Sequence, residues 1–230
     1  MAKILRFTLA ASLQSWGEDA AFDYRTTNAL PSKSGIIGII SACMGLARED
    51  PRILELNNDI KIAVRADNPG SVLMDFNRVQ SDEYGYIVSA QGGPRSDGNS
   101  GYVTTIAQKK YYLQDARFQI FVYGKDSTVN AVYEALKHPK YLIGLGRKAC
   151  VPSMPIIPVW VDANNIFTAV RMFTNEDKKY AKNRVAVEMD YSGEEKGTLV
   201  RRIYTRRDSV KDLKNRTYGL RKVCSFYVDA

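Results

Sequence analysis

Residues Pro31 to Ala47 read PSKSGIIGIISACMGLA, and this stretch organises the fold that we expect for the chain. Isoleucines fall on nearly every side of the helix that it predicts, and a helix that is apolar all round is buried. Ser34 is a good N-cap, because its hydroxyl can accept a hydrogen bond from an N–H of the first turn. Three glycines at helical spacing make a smooth face on which a sheet or another backbone can lie close. We therefore expect a core helix whose start, flanked by Lys33 and Ser34, points outward as an anion site.

The composition predicts a globular protein of the cytoplasm. With 230 residues and 45% hydrophobic content, the chain has ample material for a core. Met1 to Ala11 alternates like a strand and does not resemble a signal peptide, and the apolar run after Ser34 is too short to cross a bilayer. Cys43, Cys150 and Cys224 are far apart and odd in number, which is typical of free thiols. The sequence thus predicts no membrane span, no disulfide framework and no metal site.

Positive charge is concentrated towards the C-terminus. The formal net charge is +8, and the segment from Arg171 to Lys222 holds 15 Lys and Arg residues against 8 Asp and Glu. Residues 1–170 hold 18 against 16. Such a basic third suggests a polyanionic partner, above all nucleic acid, although a solvated surface rich in Lys and Arg gives the same composition.

The hydrophobic periodicity predicts an α+β fold. A strand, the Pro31–Ala47 helix, two strands, another strand and a second helix follow in the order of a ferredoxin-like or RNA-recognition-motif (RRM) core. The stretch from Gln80 to Lys110 is polar, rich in glycine and aperiodic, which indicates a long hairpin projecting from the body or a lid. We expect an RRM-like domain over residues 1–150 and a basic, β-rich region over residues 151–230. Strands are predicted at Lys3–Ala10, Asp59–Ala66, Val72–Val79, Arg117–Tyr123, Ile166–Phe173, Arg184–Met189, Thr198–Tyr204 and Val223–Val228, and the second helix from a cap at Ser127 to Leu136.

Three segments combine cations with aromatic residues or glycines, a mixture that single-stranded RNA recognition uses. The loop from Gln14 to Ser34 offers rings, cations and hydroxyls, and the end of the aperiodic stretch joins Lys to Tyr. In the loop from Tyr141 to Cys150, two glycines without Cβ would let the backbone approach a phosphate chain beside two cations. Rings that pin a loop to the core, a plain turn and an exposed strand remain open as alternatives. The candidate RNA-binding residues are Trp16, Tyr24, Arg25, Thr26, Lys33, Ser34, Lys109, Lys110, Tyr111, Gly144, Gly146, Arg147 and Lys148.

Catalytic chemistry finds little support in the sequence. His138 is the only histidine and precedes Pro139 at a predicted helix end, where a partial positive charge suits the helix dipole. No Ser/His/Asp or Cys/His arrangement can be assembled without this residue, and the carboxylates are scattered. We therefore predict no catalytic residues, no metal ligands and no cofactor.

Several segments together resemble one protein family. LQSWG and then RTTNALPSKSGIIGIISACMG follow the first strand, and YYLQDARF and LGRKAC come later in the same order. These segments are similar to the CasD-type subunits of type I-E Cascade, which belong to the RAMP superfamily of CRISPR-associated proteins. The resemblance covers Ile4 to Pro158, and beyond it only length and β character match.

The resemblance implies an RRM core with a protruding thumb, which would be the stretch from Gln80 to Lys110. It implies a subunit that caps one end of Cascade and binds the 5′ handle of the CRISPR RNA (crRNA). The thumb would pack against the neighbouring backbone subunit, the large subunit would lie close by, and target DNA would be met only through the complex. In this subtype another subunit cuts the precursor RNA, so the chain is expected to bind RNA without cleaving it.

A related branch leaves an enzymatic alternative open. In type I-C systems the equivalent subunit itself cleaves repeat RNA. Metal-free cleavage needs a base for the 2′-hydroxyl and an acid for the leaving oxygen, commonly His, Lys or Tyr. Lys109, Lys110 and Tyr111 are the residues that a metal-independent endoribonuclease of this kind would use here.

Overall fold

The computed structural model describes residues 2–17, 20–21, 24–81, 85–89, 91–96, 98–99, 101–172, 184–191, 193, 200 and 202–229. Over these residues the chain forms four helices and twelve strands, so it is the strand-rich mixture of α and β that the periodicity predicts. The helices are α1 (Lys33–Met44), α2 (Arg52–Asp59), α3 (Asp126–Lys137) and α4 (Ile166–Arg171). The strands are β1 (Ala2–Ala10), β2 (Leu13–Gln14), β3 (Ala20–Ala21), β4 (Tyr24–Arg25), β5 (Ile60–Asn68), β6 (Ser71–Gln80), β7 (Thr105–Gln114), β8 (Arg117–Gly124), β9 (Val159–Ala163), β10 (Arg184–Asp190), β11 (Arg202–Asp212) and β12 (Thr217–Asp229).

Seven strands form one antiparallel sheet in the order β11-β12-β10-β5-β8-β1-β9. Its central strands, β5 and β8, are buried along nearly their whole length, because apolar clusters cover both faces. Successive side chains of a strand point to opposite faces. Ile62 and Val64 therefore lie in the core that contains α1, α2 and α3, whereas Ala63 lies in the core that contains α4.

The C-terminal strands belong to this same sheet. β10 lies between β5 and β12, with Val187 opposite Arg65 and Met189 opposite Ala63. Strands that follow residue 150 thus flank the N-terminal strands on both sides, and no break in the sheet marks the expected boundary between residues 1–150 and 151–230.

One predicted C-terminal strand is wrong. Ile166–Arg171 is the helix α4, and its N-cap is Asn165, whose side chain accepts a hydrogen bond from the Thr168 N–H at 2.9 Å. A short apolar run fits a buried helix as well as a strand, and here the cap decides for helix. Phe173 and part of the predicted strand Thr198–Tyr204 lie outside the described residues.

Helix α1 is buried as predicted, but its cap is not Ser34. The Ser32 hydroxyl accepts from the Gly35 N–H at 3.2 Å, and Ser32 has the extended backbone that an N-cap requires. Gly45 ends the helix with φ +71, in the left-handed region that glycine adopts without steric cost. The predicted cap at Ser127 is also wrong, because α3 already begins at Asp126.

The predicted insertion is the outer part of a longer hairpin. β6 pairs with β7 from Ser71 opposite Gln114 to Gln80 opposite Thr105, so the strands start before Gln80 and end after Lys110. β7 also pairs with β2 and β4, which places the hairpin in a second sheet. Val72–Val79 is therefore a strand as predicted, but one that stands apart from the seven-stranded sheet. Residues 82–84, 90, 97 and 100 of the predicted insertion lie outside the described residues.

Candidate nucleic-acid interface

A cleft of about 490 Å³ opens where three predicted segments meet. These segments are the loop that follows β1, the start of α1 and the loop that contains Gly146 and Arg147. Six of the thirteen candidate residues line the cleft, namely Trp16, Arg25, Thr26, Ser34, Gly146 and Arg147. Residues far apart in the sequence thus share one concave surface with two arginines on its wall.

The glycines of the second loop serve the fold of the chain itself. Gly146 has φ +94, and a Cβ there would overlap the backbone carbonyl of Ser15. The Ser15 N–H donates to the Leu145 carbonyl at 3.1 Å, which ties this loop to the loop after β1. A Cβ on Gly144 would lie 2.8 Å from the carbonyl of Arg147. The reason predicted for these glycines is approach to a phosphate chain, whereas the backbone that they approach in the structure is protein.

Arg147 is held by two contacts on the wall of the cleft. Its guanidinium lies over the Tyr112 ring, 4.5 Å from the ring centroid, and its Nη2 donates to the Arg25 carbonyl at 3.1 Å. Its Nη1 is buried and has no hydrogen-bond partner among the described residues. Arg25 itself is exposed at the cleft. Arg147 is therefore fixed in orientation on the wall of the cleft, where its side chain is half-buried.

Trp16 pins its loop to the core, which is the alternative to a stacking platform. The residue is only 1% exposed, and its Nε1–H donates to Gln14 Oε1 at 3.1 Å. A Cβ on Gly35 would lie 3.0 Å from the indole ring, so the first turn of α1 packs directly on it. Trp16 forms part of the cleft wall, but its face is not free to stack on a base.

Lys33 does not point outward, and this part of the predicted anion site is wrong. The residue is 7% exposed, and its Nζ donates to the Ile60 carbonyl at 2.9 Å and lies 3.7 Å from Asp190 Oδ2. Burial lowers the pKa of its ammonium group. The Lys33 N–H donates to Asp208 Oδ2 at 2.8 Å, so a carboxylate of the chain already occupies the start of α1.

A buried ion network joins the start of α1 to strands β10, β11 and β12. Arg221 donates to Asp208 at 2.7 and 2.9 Å and to Asp190 at 3.1 Å, and Arg206 donates to Glu188 at 2.6 Å. Burial alone would raise the pKa of Asp208, but hydrogen bonds and charge from Arg221 outweigh it and hold that pKa below its ordinary value. The members of the buried ion network are Lys33, Glu188, Asp190, Arg206, Asp208 and Arg221.

Lys109, Lys110 and Tyr111 lie on β7 of the hairpin, and Tyr24 lies on the neighbouring strand β4. Because β4 runs parallel to β7, Tyr24 lies beside Lys109 and Arg25 beside Lys110. Because side chains alternate along a strand, Tyr24, Lys109 and Tyr111 lie on one face of this sheet. Arg25 and Lys110 lie on the other face, together with Tyr112, whose ring contacts Arg147. The Tyr24 and Tyr111 ring centroids are 5.1 Å apart. Lys110 thus lies on the face of Arg25 and Arg147, whereas Tyr24, Lys109 and Tyr111 form a separate surface.

Five residues that line the cleft are missing from the candidates that the sequence predicts, namely Ser15, Gly17, Ser32, Gly35 and Tyr218. Tyr218 of β12 lines the cleft and is 44% exposed, and Ser32 both caps α1 and lines the cleft. Ser32 carries a local signal, since it precedes the helix by one residue. Tyr218 carries none, because its place depends on the pairing of β12. Lys148 is exposed, and neither it nor Gly144 is among the residues that line the cleft.

The described residues contain neither a candidate metal cluster nor a candidate membrane helix. Within this part of the chain, no group of three or more His, Cys, Asp or Glu side chains is arranged to hold a metal ion. Among the described helices, none is long and apolar enough to span a membrane.

Comparison with known proteins gives consistent matches. The chain matches the family of CRISPR-associated proteins described as Cas_Cas5 over residues 4–224. It is 28% identical over 163 residues to the CRISPR system Cascade subunit CasD of Escherichia coli (strain K12), which covers 68% of this chain and 70% of that protein. A solved chain from a CRISPR RNA-guided surveillance complex has a similar fold, with a TM-score of 0.71, 26% identity and coverage of 97% of this chain and 89% of that one. A crystal structure of a Cas protein, at 21% identity, has the same fold with a TM-score of 0.64 over 97% of this chain and 94% of that one.

Proposed function

The chain belongs to the Cas5 family of CRISPR-associated proteins, and from this premise we propose that it is a non-catalytic RNA-binding subunit of a type I-E Cascade complex. It holds the 5′ handle of the crRNA and caps one end of the complex. The observation that carries the proposal is the meeting of Arg25, Ser34 and Arg147 around one cleft. The similarity to a chain of a CRISPR RNA-guided surveillance complex supports it.

The cleft has the chemistry that suits an unpaired RNA strand. Arg25 and Arg147 can each bind a phosphate, and charge-assisted hydrogen bonds of this kind are about twice as strong as neutral ones. Ser34 adds a hydroxyl, and the exposed ring of Tyr218 adds a surface on which a base can stack. Because Arg147 is already held over Tyr112, less side-chain entropy is lost when it binds.

The topology supports the finer description of the core. β1, α1, β5, β8, α3 and β9 follow one another in the order of a ferredoxin-like unit, and their strands lie in the sheet as β5-β8-β1-β9. In this description the β6–β7 hairpin is the thumb, inserted between β5 and β8.

The hairpin also has a surface that suits a protein partner. Val72, Met74 and Phe76 alternate along one face of β6 and are 65%, 49% and 57% exposed. Contiguous apolar surface of this kind marks an interaction site. We assign it to the neighbouring backbone subunit, with the large subunit close to the cleft and target DNA met only through the complex.

A metal-independent endoribonuclease is the second candidate, because Lys109, Lys110 and Tyr111 follow one another on β7 of the hairpin, next to Tyr24 of β4. Two observations favour binding over cleavage. The hydrogen bond with Tyr24 raises the pKa of Tyr111, which lowers the fraction of phenolate that could act as the base at neutral pH. Lys109 and Lys110 point to opposite faces of β7, so they do not face one phosphate together.

The test uses labelled repeat RNA and a scrambled RNA of equal length, without added metal, on native and denaturing gels. We expect a repeat-selective shift with intact RNA. Replacing Arg25→Ala and Arg147→Ala together should weaken repeat binding about 100-fold, since each hydrogen bond to a charged group contributes about 1.5–3 kcal/mol.

The matched control replaces two exposed lysines away from the cleft, Lys61→Ala with Lys137→Ala, and should bind repeat RNA almost as wild type does. Unchanged affinity in the arginine variant would mean that the cleft is not the site. Cleaved repeat RNA would instead establish the endoribonuclease, with Lys109, Lys110 and Tyr111 as the residues to replace next.

A further inference from the structure

The turn between β11 and β12 lies beside the cleft. It consists of Leu213 to Arg216, and β12 starts at the next residue. Tyr218, the second residue of β12, lines the cleft. Arg216, the last residue of the turn, is two residues from Tyr218, so the turn is within reach of an RNA strand that leaves the cleft past this ring.

The turn is held in a fixed position. Asp212 accepts two hydrogen bonds from Asn215, one from its N–H at 3.0 Å and one from its side-chain amide at 2.8 Å. Just before the turn, Asn57 of α2 donates to the Ser209 hydroxyl at 3.0 Å and accepts from the Val210 N–H at 3.2 Å. A turn that is ordered before binding presents its side chains at little further entropic cost.

The cations at this turn differ from the two arginines of the buried ion network. Lys214 and Arg216 of the turn, and Lys211 just before it, are exposed, and in the part of the chain that the structure describes no carboxylate forms an ion pair with any of them. Arg206 and Arg221, by contrast, are buried against carboxylates in the buried ion network. The β11–β12 turn thus presents positive charge to solvent beside the cleft.

We infer that the β11–β12 turn is a second RNA-contact segment, which binds the phosphate backbone of the strand that leaves the cleft. The inference rests on the proposed function, since the cleft must hold RNA for a strand to leave it. Lys and Arg contacts to phosphates carry no sequence information. The turn therefore adds affinity for any RNA, whatever its sequence.

The test replaces Lys214→Gln and Arg216→Asn in the full chain. Asn is chosen because Arg216 has φ +50, in the left-handed region that Asn tolerates. Repeat and scrambled RNA should both bind about tenfold more weakly. The slope of log affinity against log salt should become shallower by about 0.7 for each phosphate that the variant no longer binds.

A control with the same change in charge, Lys61→Gln with Lys137→Gln, should leave affinity and slope near those of wild type. Thermal unfolding of each variant shows whether the fold is kept. If the turn variant binds as wild type does while Arg25→Ala with Arg147→Ala loses repeat binding, the turn is only a solvated surface and the proposed function stands. If wild type itself shows no repeat-selective binding, the proposed function fails and this inference fails with it.

Discussion

The cleft and the buried ion network are neighbours and contain the same residue types, but they differ in how their charges are placed. The charges of the network are buried in ion pairs, whereas the cleft has charge that is open to solvent. Lys33, in the network, is 7% exposed and faces Asp190 and Asp208. Its neighbour Ser34 lines the cleft, where Arg25 is open to solvent. Two consecutive residues thus have different roles: Lys33 stabilises the fold, whereas Ser34 lies on a surface that can bind a ligand.

The net charge of a sequence does not show which cations form ion pairs with carboxylates in the folded protein. Arg206 and Arg221 belong to the basic C-terminal third, but carboxylates of the same third neutralise them. The composition suggests a polyanionic partner for this third of the chain, but these two arginines already have carboxylate partners within it. The network instead joins the start of α1 to the C-terminal strands and so fixes the position of Ser34, which lines the cleft.

The largest effect is expected from Asp208→Ala. It removes the acceptor of the Lys33 N–H and the main partner of Arg221, and a buried ion pair that loses one member costs about 3–5 kcal/mol. Chemical denaturation should show a loss of that order in the free energy of unfolding.

The control for this change is Asp162→Ala, which removes an exposed carboxylate from β9 and should change the free energy of unfolding by less than about 0.5 kcal/mol. If both variants were equally stable, the buried ion network would not stabilise the fold, and the contrast with the cleft would disappear.

Much of the fold was predictable because its signals are local. Alternation identifies Lys3–Ala10 and Arg117–Tyr123, and both strands are present as β1 and β8. The isoleucine-rich stretch identifies α1. Burial of Lys33 was not predictable, because its partner Asp208 lies 175 residues away and only the pairing of β10, β11 and β12 brings the two together.

Replacing Gly146 should have a smaller effect on the free energy of unfolding. The result shows whether this glycine of the cleft is needed for the fold or for RNA binding. Gly146→Ala places a Cβ against the Ser15 carbonyl at a positive φ, and overpacking of this kind costs about 1–3 kcal/mol. The free energy of unfolding, measured without RNA, should fall by that amount.

Gly38→Ala is the matched control, because Gly38 is an exposed helical glycine with no neighbouring atom within 4 Å of an added Cβ. It should raise the free energy of unfolding by about 1 kcal/mol through helix propensity. A stable Gly146→Ala protein with weakened RNA binding would instead assign the glycine to the RNA.

The smallest effect depends on pH. Because the folded-state pKa of Asp208 is held below its ordinary value of 3.8, its contribution to stability is complete above that value and is lost as the pH falls through the folded-state pKa. The difference in free energy of unfolding between wild type and Asp208→Asn should therefore shrink below about pH 4. A difference that stays constant in acid would remove Asp208 from the ionised network.

The candidate site was predictable as a set of segments but not residue by residue. Arg25 and Arg147 stand where cations with glycine or hydroxyl neighbours suggest RNA, and they meet at the cleft. Trp16 carries the same local signal and is buried, since a ring that stacks on a base and a ring that pins a loop look alike in sequence. The separation of Lys109 from Lys110 follows from the pairing of β7, which no local pattern gives.

The position of β10 has a consequence for synthesis on the ribosome. Until β10 emerges, one edge of β5 has no partner, including the Ile62 N–H that later donates to Asp190 at 2.7 Å. At roughly 5–20 residues per second, the wait lasts on the order of ten seconds, during which an apolar strand edge is open to pairing with other chains. A nascent chain that stalls before β10 therefore carries an aggregation-prone edge that the finished protein does not.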